Sequence, residues 1–266
     1  MTAAPRAWWR APFSRLVAWR EQRALERRAI PDELWELTLL RLPFLARLDD
    51  ADRAELRRLC SLFLDRKQFH GVGGLELTDD MALMIAAQAC LPVLRLGLEV
   101  YAGFVGIVVH RDEVVAQRSV MDEDGIVHEY EENLTGEAMS GGPLMLAWAD
   151  VEDAAESAEL AYNVVIHEFA HVIDMVTGFA DGVPPLPDAA ARERWTRVID
   201  GEYEAFCERV DSGADTVVDP YGAEAVEEFF AVAVEAFFVA PVPFRRESPA
   251  MYELLAGYFR QDPAGR

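Results

Sequence analysis

The sequence predicts an α+β fold: a small mixed sheet, a helical layer ahead of it, and a buried helix that carries two histidines. Three observations predict it. Stretches rich in β-branched and aromatic residues fall between residues 97 and 148, while helical periodicity dominates on both sides. An apolar content of 52% over 266 residues supports a substantial core. In residues 162–178, Tyr162, Val165, Ile166, Phe169, Ile173 and Val176 recur at three- and four-residue steps, and His167, His171 and Asp174 fall on another face.

Charge and cysteine usage narrow the function classes. The net charge of -22 argues against a nucleic-acid partner, since phosphate binding needs a basic surface. Residues 1–70 hold 14 of the 25 basic residues and 10 of the 47 acids, so the acidity belongs to the rest of the chain. Cys60, Cys90 and Cys207 are widely spaced and form no C-x-x-C pair. That excludes a disulfide framework and a thiolate zinc site, and fits free thiols in a reducing compartment. No stretch reaches the length of a membrane span and the start lacks a signal-peptide core, so a cytoplasmic location is expected.

Residues 1–30 form a basic segment, in which Trp8, Trp9, Phe13, Leu16, Val17 and Trp19 stand among arginines. It reads as a terminal helix packed on the body, with a membrane-surface or partner contact as the alternative. Residues 31–266 read as a single domain. Residues 32–42 and 50–64 are amphipathic helices, the first stopped by Pro43 and the second capped at Asp49 or Asp50. Gly71 to Gly74 lack the strand and spacing of a dinucleotide-binding loop and read as a turn. Thr78 caps a helix that runs to Cys90. Residues 97–110 are one strand or two, with weaker strands at 114–120 and 126–130 around a turn at 122–125. His110 and His128 stand alone among strand residues. The apolar run 144–148 is the candidate strand beside the histidine helix, to which an extended peptide adds as a further strand. Residues 189–210 form an amphipathic helix. After a turn at 219–222, Phe229, Phe230, Ala233, Val234, Phe237 and Phe238 form the stripe of another.

The chemistry gathers at His167-Glu168-Phe169-Ala170-His171. Two histidines four apart on a helix project from one face, so both imidazoles can reach one metal ion. Glu168 is then placed as general base toward a water polarised by that ion. A zinc hydrolase needs three protein ligands and one open position, so a third donor must come from elsewhere. Glu227, Glu228 and Glu235 lie on the later helix. Glu228 and Glu235 share a side two turns apart, about 10 Å along the axis, so only one of them can bind the ion.

Several stretches resemble the Mlc titration factor A family of bacterial zinc peptidases. They are residues 74–79 and 85–90, Tyr101 to Phe104, Leu134 to Glu137, Gly142 to Leu144, Asn163 to His171 and Glu228 to Val232. The resemblance implies a zincin-like fold of the gluzincin type, one catalytic zinc ion, and aminopeptidase-type activity on short peptides. It implies Glu228 as the third ligand and binding to a transcriptional repressor. The site is also similar to that of the anthrax lethal factor catalytic domain, in which a tyrosine seven residues before the glutamate ligand assists the reaction; Tyr221 and Glu228 have that spacing. Met139 and Ser140 depart from the pattern where an aromatic residue is expected.

The expectation is therefore a zinc metallopeptidase acting on peptides, with His167, His171 and Glu228 on the metal, Glu168 as base and Tyr221 as oxyanion donor. Asp174 and Glu235 are expected to support the ligands from behind. The alternative is a protein that sequesters a regulator, with peptide cleavage secondary.

Overall fold

Residues 229–239 are buried without exception, so the helix that contains them has no solvent face and the rest of the chain packs around it. The structure is a computed structural model that describes residues 10–112, 114–121, 127–134, 136–138 and 142–265. Buried side chains from Ala24 to Phe259 form one contiguous core.

A helical layer comes first, made of α1 (Arg10–Arg27), α2 (Asp32–Arg41) and α3 (Asp50–Arg66), with a 3-10 turn at Pro43–Arg47. Asp49 begins α3 by accepting the Asp52 amide at 2.8 Å, which satisfies an orphan donor of the first turn. The described part of the basic segment packs on the body: Ala24 is buried against α3, and the Arg27 guanidinium forks onto Asp65 at 3.0 Å.

The chain then enters a four-stranded sheet of order β1-β2-β6-β5, made from β1 (Gln68–Gly71), β2 (Gly106–His110), β5 (Gly136–Ala138) and β6 (Leu144–Ala147). β1, β2 and β6 are parallel and β5 runs antiparallel to β6. A separate antiparallel ribbon pairs β3 (Val114–Met121) with β4 (Val127–Leu134). The expected turn at 122–125 and the departure at Met139 and Ser140 lie outside the described residues. Between β1 and β2 runs α4 (Asp79–Cys90), capped by the Thr78 hydroxyl, which accepts the Met81 amide at 3.2 Å.

Two expectations change, and a third holds with a strand added ahead of it. A short strand does precede the glycines at 71–74, but no helix follows them directly, so the reading as a turn holds. Residues 98–101 form a 3-10 turn rather than a strand. Gly97 sits at φ 86°, Tyr101 turns inward to bond the Ala89 carbonyl at 2.8 Å, and the Lys67 ammonium takes the carbonyls of Tyr101 and Phe104. These contacts hold the stretch in a turn rather than an extended run. The run 144–148 is not an edge either: β6 is flanked by β2 and β5, and its last residue begins α5 (Trp148–Glu152). β5 is the outer strand, and it lies against the histidine helix.

After α6 (Ala154–Ser157) the chain forms α7 (Val164–Asp174), α8 (Ala189–Asp211), the central α9 (Val226–Val239), α10 (Pro241–Glu247) and α11 (Pro249–Phe259). α7 packs between β5 and α9. Val165, Ile166, Phe169 and Ile173 are its fully buried stripe, but Val176 lies past the helix end and is exposed.

Candidate metal centre

The site is built where α7 crosses α9. Asn163 starts α7, its side-chain oxygen accepting the Ile166 amide at 2.9 Å, and Gly178 at φ 99° ends the 3-10 turn that follows the helix. One turn separates His167 from His171, and the Nε2 atoms of the two rings stand 3.1 Å apart. Glu228, in the first turn of α9, brings Oε2 to 3.2 Å from His167 Nε2 and 3.3 Å from His171 Nε2. Donors held about 2.0–2.1 Å from a tetrahedral ion stand roughly 3.3–3.4 Å from one another, so this triangle has the dimensions of one face of a zinc site. Among the described residues this is the one such group of donors.

Glu235, two turns along α9, faces His167 from the other side. Its Oε1 lies 2.7 Å from His167 Nδ1, and its second oxygen accepts the Asn163 backbone amide. A proton on Nδ1 shared with this carboxylate leaves Nε2 as a lone-pair donor. Burial presses the His167 pKa down, but the charge of Glu235, hydrogen bonds donated to Glu228 and Glu235, and the charge of Glu168 outweigh it and hold the pKa well above the usual histidine value. Burial likewise opposes the charge on Glu228, yet hydrogen bonds from His167 and His171 keep its carboxyl well below the ordinary range. The cavity thus concentrates carboxylates around two imidazoles, an arrangement suited to a cation.

Glu168 is buried, and its Oε2 has no hydrogen-bond partner. Burial raises its pKa to about 7 against the pull of His167 and His171. A buried carboxylate oxygen without a donor is costly in a closed protein and is explained by a ligand that completes it. Tyr221 sits on a 3-10 turn (Pro220–Ala223) just ahead of α9, its ring 6.2 Å from that of His167 and its side partly open to solvent. Asp174, expected beside His171, hydrogen-bonds the Gly182 amide at 2.8 Å instead, and so fixes the loop that leaves α7. His110 stays at the end of β2, outside the donor group; the side chain of His128 lies outside the described residues.

Two residues of the site escape a reading from periodicity. Asn163 is the cap of α7, and Gln88 on α4 is fully buried and bonded to it, Asn163 Nδ2 donating to Gln88 Oε1 at 2.7 Å. An asparagine ahead of an apolar run is a helix-start signal and can be read as one. Gln88 gives no such signal, because its partner is 75 positions away.

A family model described as glucose-regulated metallo-peptidase M90 matches residues 16–260. The chain belongs to that family. An uncharacterized protein of Synechocystis sp. is 36% identical over 248 residues, covering 92% of this chain and 89% of that protein. Mlc titration factor A of Salmonella arizonae is 32% identical over 238 residues, 88% of this chain and 93% of the relative. The same factor of Pectobacterium atrosepticum is 34% identical over 239 residues, 88% of each. The resemblance carried by the short stretches is thus a kinship over most of the chain. M90 membership implies a metal ion, and His167, His171 and Glu228 fit one in donor type and spacing. No helix among the described residues is long and apolar enough to cross a membrane.

Proposed function

We propose that this chain is a zinc-dependent peptidase with a zincin-like site, hydrolysing short peptides in the manner of an aminopeptidase. The observation that supports it most is the donor triangle of His167, His171 and Glu228 with the partnerless Glu168 oxygen beside it. Two neutral imidazoles and one carboxylate are the donor set of a hydrolytic zinc, and the triangle leaves a further position open. The aminopeptidase character rests on the resemblance to the Mlc titration factor A family.

Bound zinc would supply Lewis acidity, lowering the pKa of a water and polarising the scissile carbonyl. His167, His171 and Glu228 would hold it, with Glu235 fixing the His167 ring. Glu168 takes the proton of the attacking water at its free oxygen and delivers it to the departing amine. Tyr221 donates its hydroxyl hydrogen to the carbonyl oxygen as negative charge develops there. β5 offers the sheet edge beside α7, along which a peptide backbone can align.

The test is zinc content of the purified protein together with hydrolysis of a panel of short peptides. Wild type should carry about one zinc per chain. Glu168→Gln should keep the zinc and lose about a hundredfold or more in turnover, as expected for a missing general base. Near-normal turnover in that variant removes the mechanism.

A second reading, binding of a transcriptional regulator, is supported by the name of the curated relatives, which speaks of titrating Mlc. It uses a surface rather than the donor triangle, so Glu168→Gln would leave it intact.

A further inference from the structure

Behind the donor triangle runs a buried line of polar groups that links three helices. Gln88, in the middle of α4, donates Nε2 to the Met84 carbonyl at 3.1 Å, which fixes the direction of its amide. Its Oε1 then accepts from Asn163 Nδ2 at 2.7 Å. The other end of the Asn163 side chain caps α7 through the Ile166 amide, and the Asn163 backbone N–H donates to Glu235 Oε2. Glu235 Oε1 meets His167 Nδ1 at 2.7 Å. Gln88, Asn163 and Glu235 are each 1% exposed or less. Polar groups this deep are costly to leave without partners, and each of these three has them.

We infer that Gln88 and Asn163 are positioning residues for the metal site, acting on His167 through Glu235. Asn163 has two tasks: its side chain starts the helix that carries both histidines, and its peptide amide holds the carboxylate that orients the first of them. Gln88 fixes the Asn163 side chain from the neighbouring helix, and with it the direction of that amide. If Gln88 is lost, a buried Asn163 amide has no acceptor and turns toward another, and the peptide moves with it. Glu235 then loses one of its two anchors, and the His167 ring can rotate Nε2 out of the triangle. The Asn163 carboxamide thus serves both bonds at once: Gln88 holds its nitrogen end, its oxygen caps α7, and the peptide N–H of the same residue reaches Glu235.

This inference rests on His167 being a metal ligand, and zinc affinity tests the two separately. Zinc binding by the full chain is measured by competition with a chelating dye for wild type, Gln88→Met, Asn163→Ser, Glu235→Ala and the Gln88→Met/Glu235→Ala double variant. Thermal unfolding of each metal-free protein is recorded alongside. Gln88→Met keeps the volume without the acceptor, and Asn163→Ser keeps a capping oxygen without the amide. Both should bind zinc roughly ten- to a hundredfold more weakly while remaining folded, the size expected for groups that orient a ligand. Adding Gln88→Met to Glu235→Ala should cost nothing further, because the route through Glu235 is already gone. The inference is overturned if both single variants fold and bind zinc like wild type, or if the two losses add in full. Loss of zinc binding that only accompanies collapse of the metal-free fold also counts against it. A wild type that binds no zinc overturns the metal-site reading itself.

Discussion

Glu228 and Glu235 lie on one helix, face the same histidine and have opposite environments. Glu228 is partly open and hydrogen-bonded by both imidazoles, which holds its carboxyl low, whereas burial raises that of Glu235. In the proposed site the two divide the work: Glu228 brings its charge to the Nε2 side of His167, and Glu235 anchors the ring at Nδ1. Glu228→Ala should abolish zinc binding in a metal titration, while Glu235→Ala should weaken it by about ten- to a hundredfold. The reverse order of losses would show that the ligand has been misassigned. Tyr221→Phe should keep the metal and lower kcat with little change in zinc affinity, since its hydroxyl acts on the developing oxyanion. Intact turnover in Tyr221→Phe would leave the tyrosine without a chemical part. His167, Glu168 and His171 were legible from spacing because one helix fixes all three. Glu228 and Glu235 were legible as a pair of candidates, but their division of roles depends on where α9 crosses α7, and no local pattern reports a crossing.

At the scale of elements, the 3-10 turn before α9 must lie very close to the helix for Tyr221 to reach His167. Gly222 makes that approach possible: a Cβ there would stand 2.6 Å from Val232 Cγ2 and 3.2 Å from the Phe229 Cα. The Phe229 backbone has little room to yield, because Phe229 is fully buried and its ring packs against that of Phe206 with centroids 5.1 Å apart. Gly222→Ala should therefore lift the turn, destabilise the protein by about 1–3 kcal/mol, and reduce turnover more than zinc binding. Equal turnover in a variant of unchanged stability would show that the turn has slack. Helices are legible in the chain, since period, cap and stop all act within a few residues: Asp49 and Thr78 cap their helices as expected. Strand order is not. The run 144–148 carries the apolar signal of a strand, but that signal is the same for a central strand and an edge, and pairing with β2 and β5 decides which it is. Residues 98–101 are similar, because their form depends on partners distant in sequence: Lys67 takes the Tyr101 carbonyl, and the Tyr101 hydroxyl reaches the Ala89 carbonyl.

For the whole molecule, Asp174 joins the end of α7 to the helices around it. It accepts the Gly182 amide at 2.8 Å, and the Gly182 carbonyl in turn accepts the Trp195 indole of α8 at 2.8 Å. Burial, and after it the charge of Asp174, pushes the Tyr258 hydroxyl of α11 well above the usual tyrosine range. Asp174 itself is fully buried with one oxygen unpartnered, and burial lifts its pKa to about 6 from 3.8. Between those values the folded protein holds a proton that the unfolded chain has released. Stability from this residue is therefore complete below about pH 4 and is lost as pH rises through about 6, up to about 3 kcal/mol for a shift of this size. Asp174→Asn keeps an acceptor for Gly182 and has no proton to lose. Denaturant unfolding of the metal-free proteins should thus show wild type losing ground to Asp174→Asn from pH 4 to pH 7. Stability curves that run parallel across that range would mean that the Asp174 carboxyl titrates alike in the folded and unfolded chain. The contribution of Glu228 has the opposite slope, since its carboxyl is held low, but it is common to both proteins and cancels in the difference.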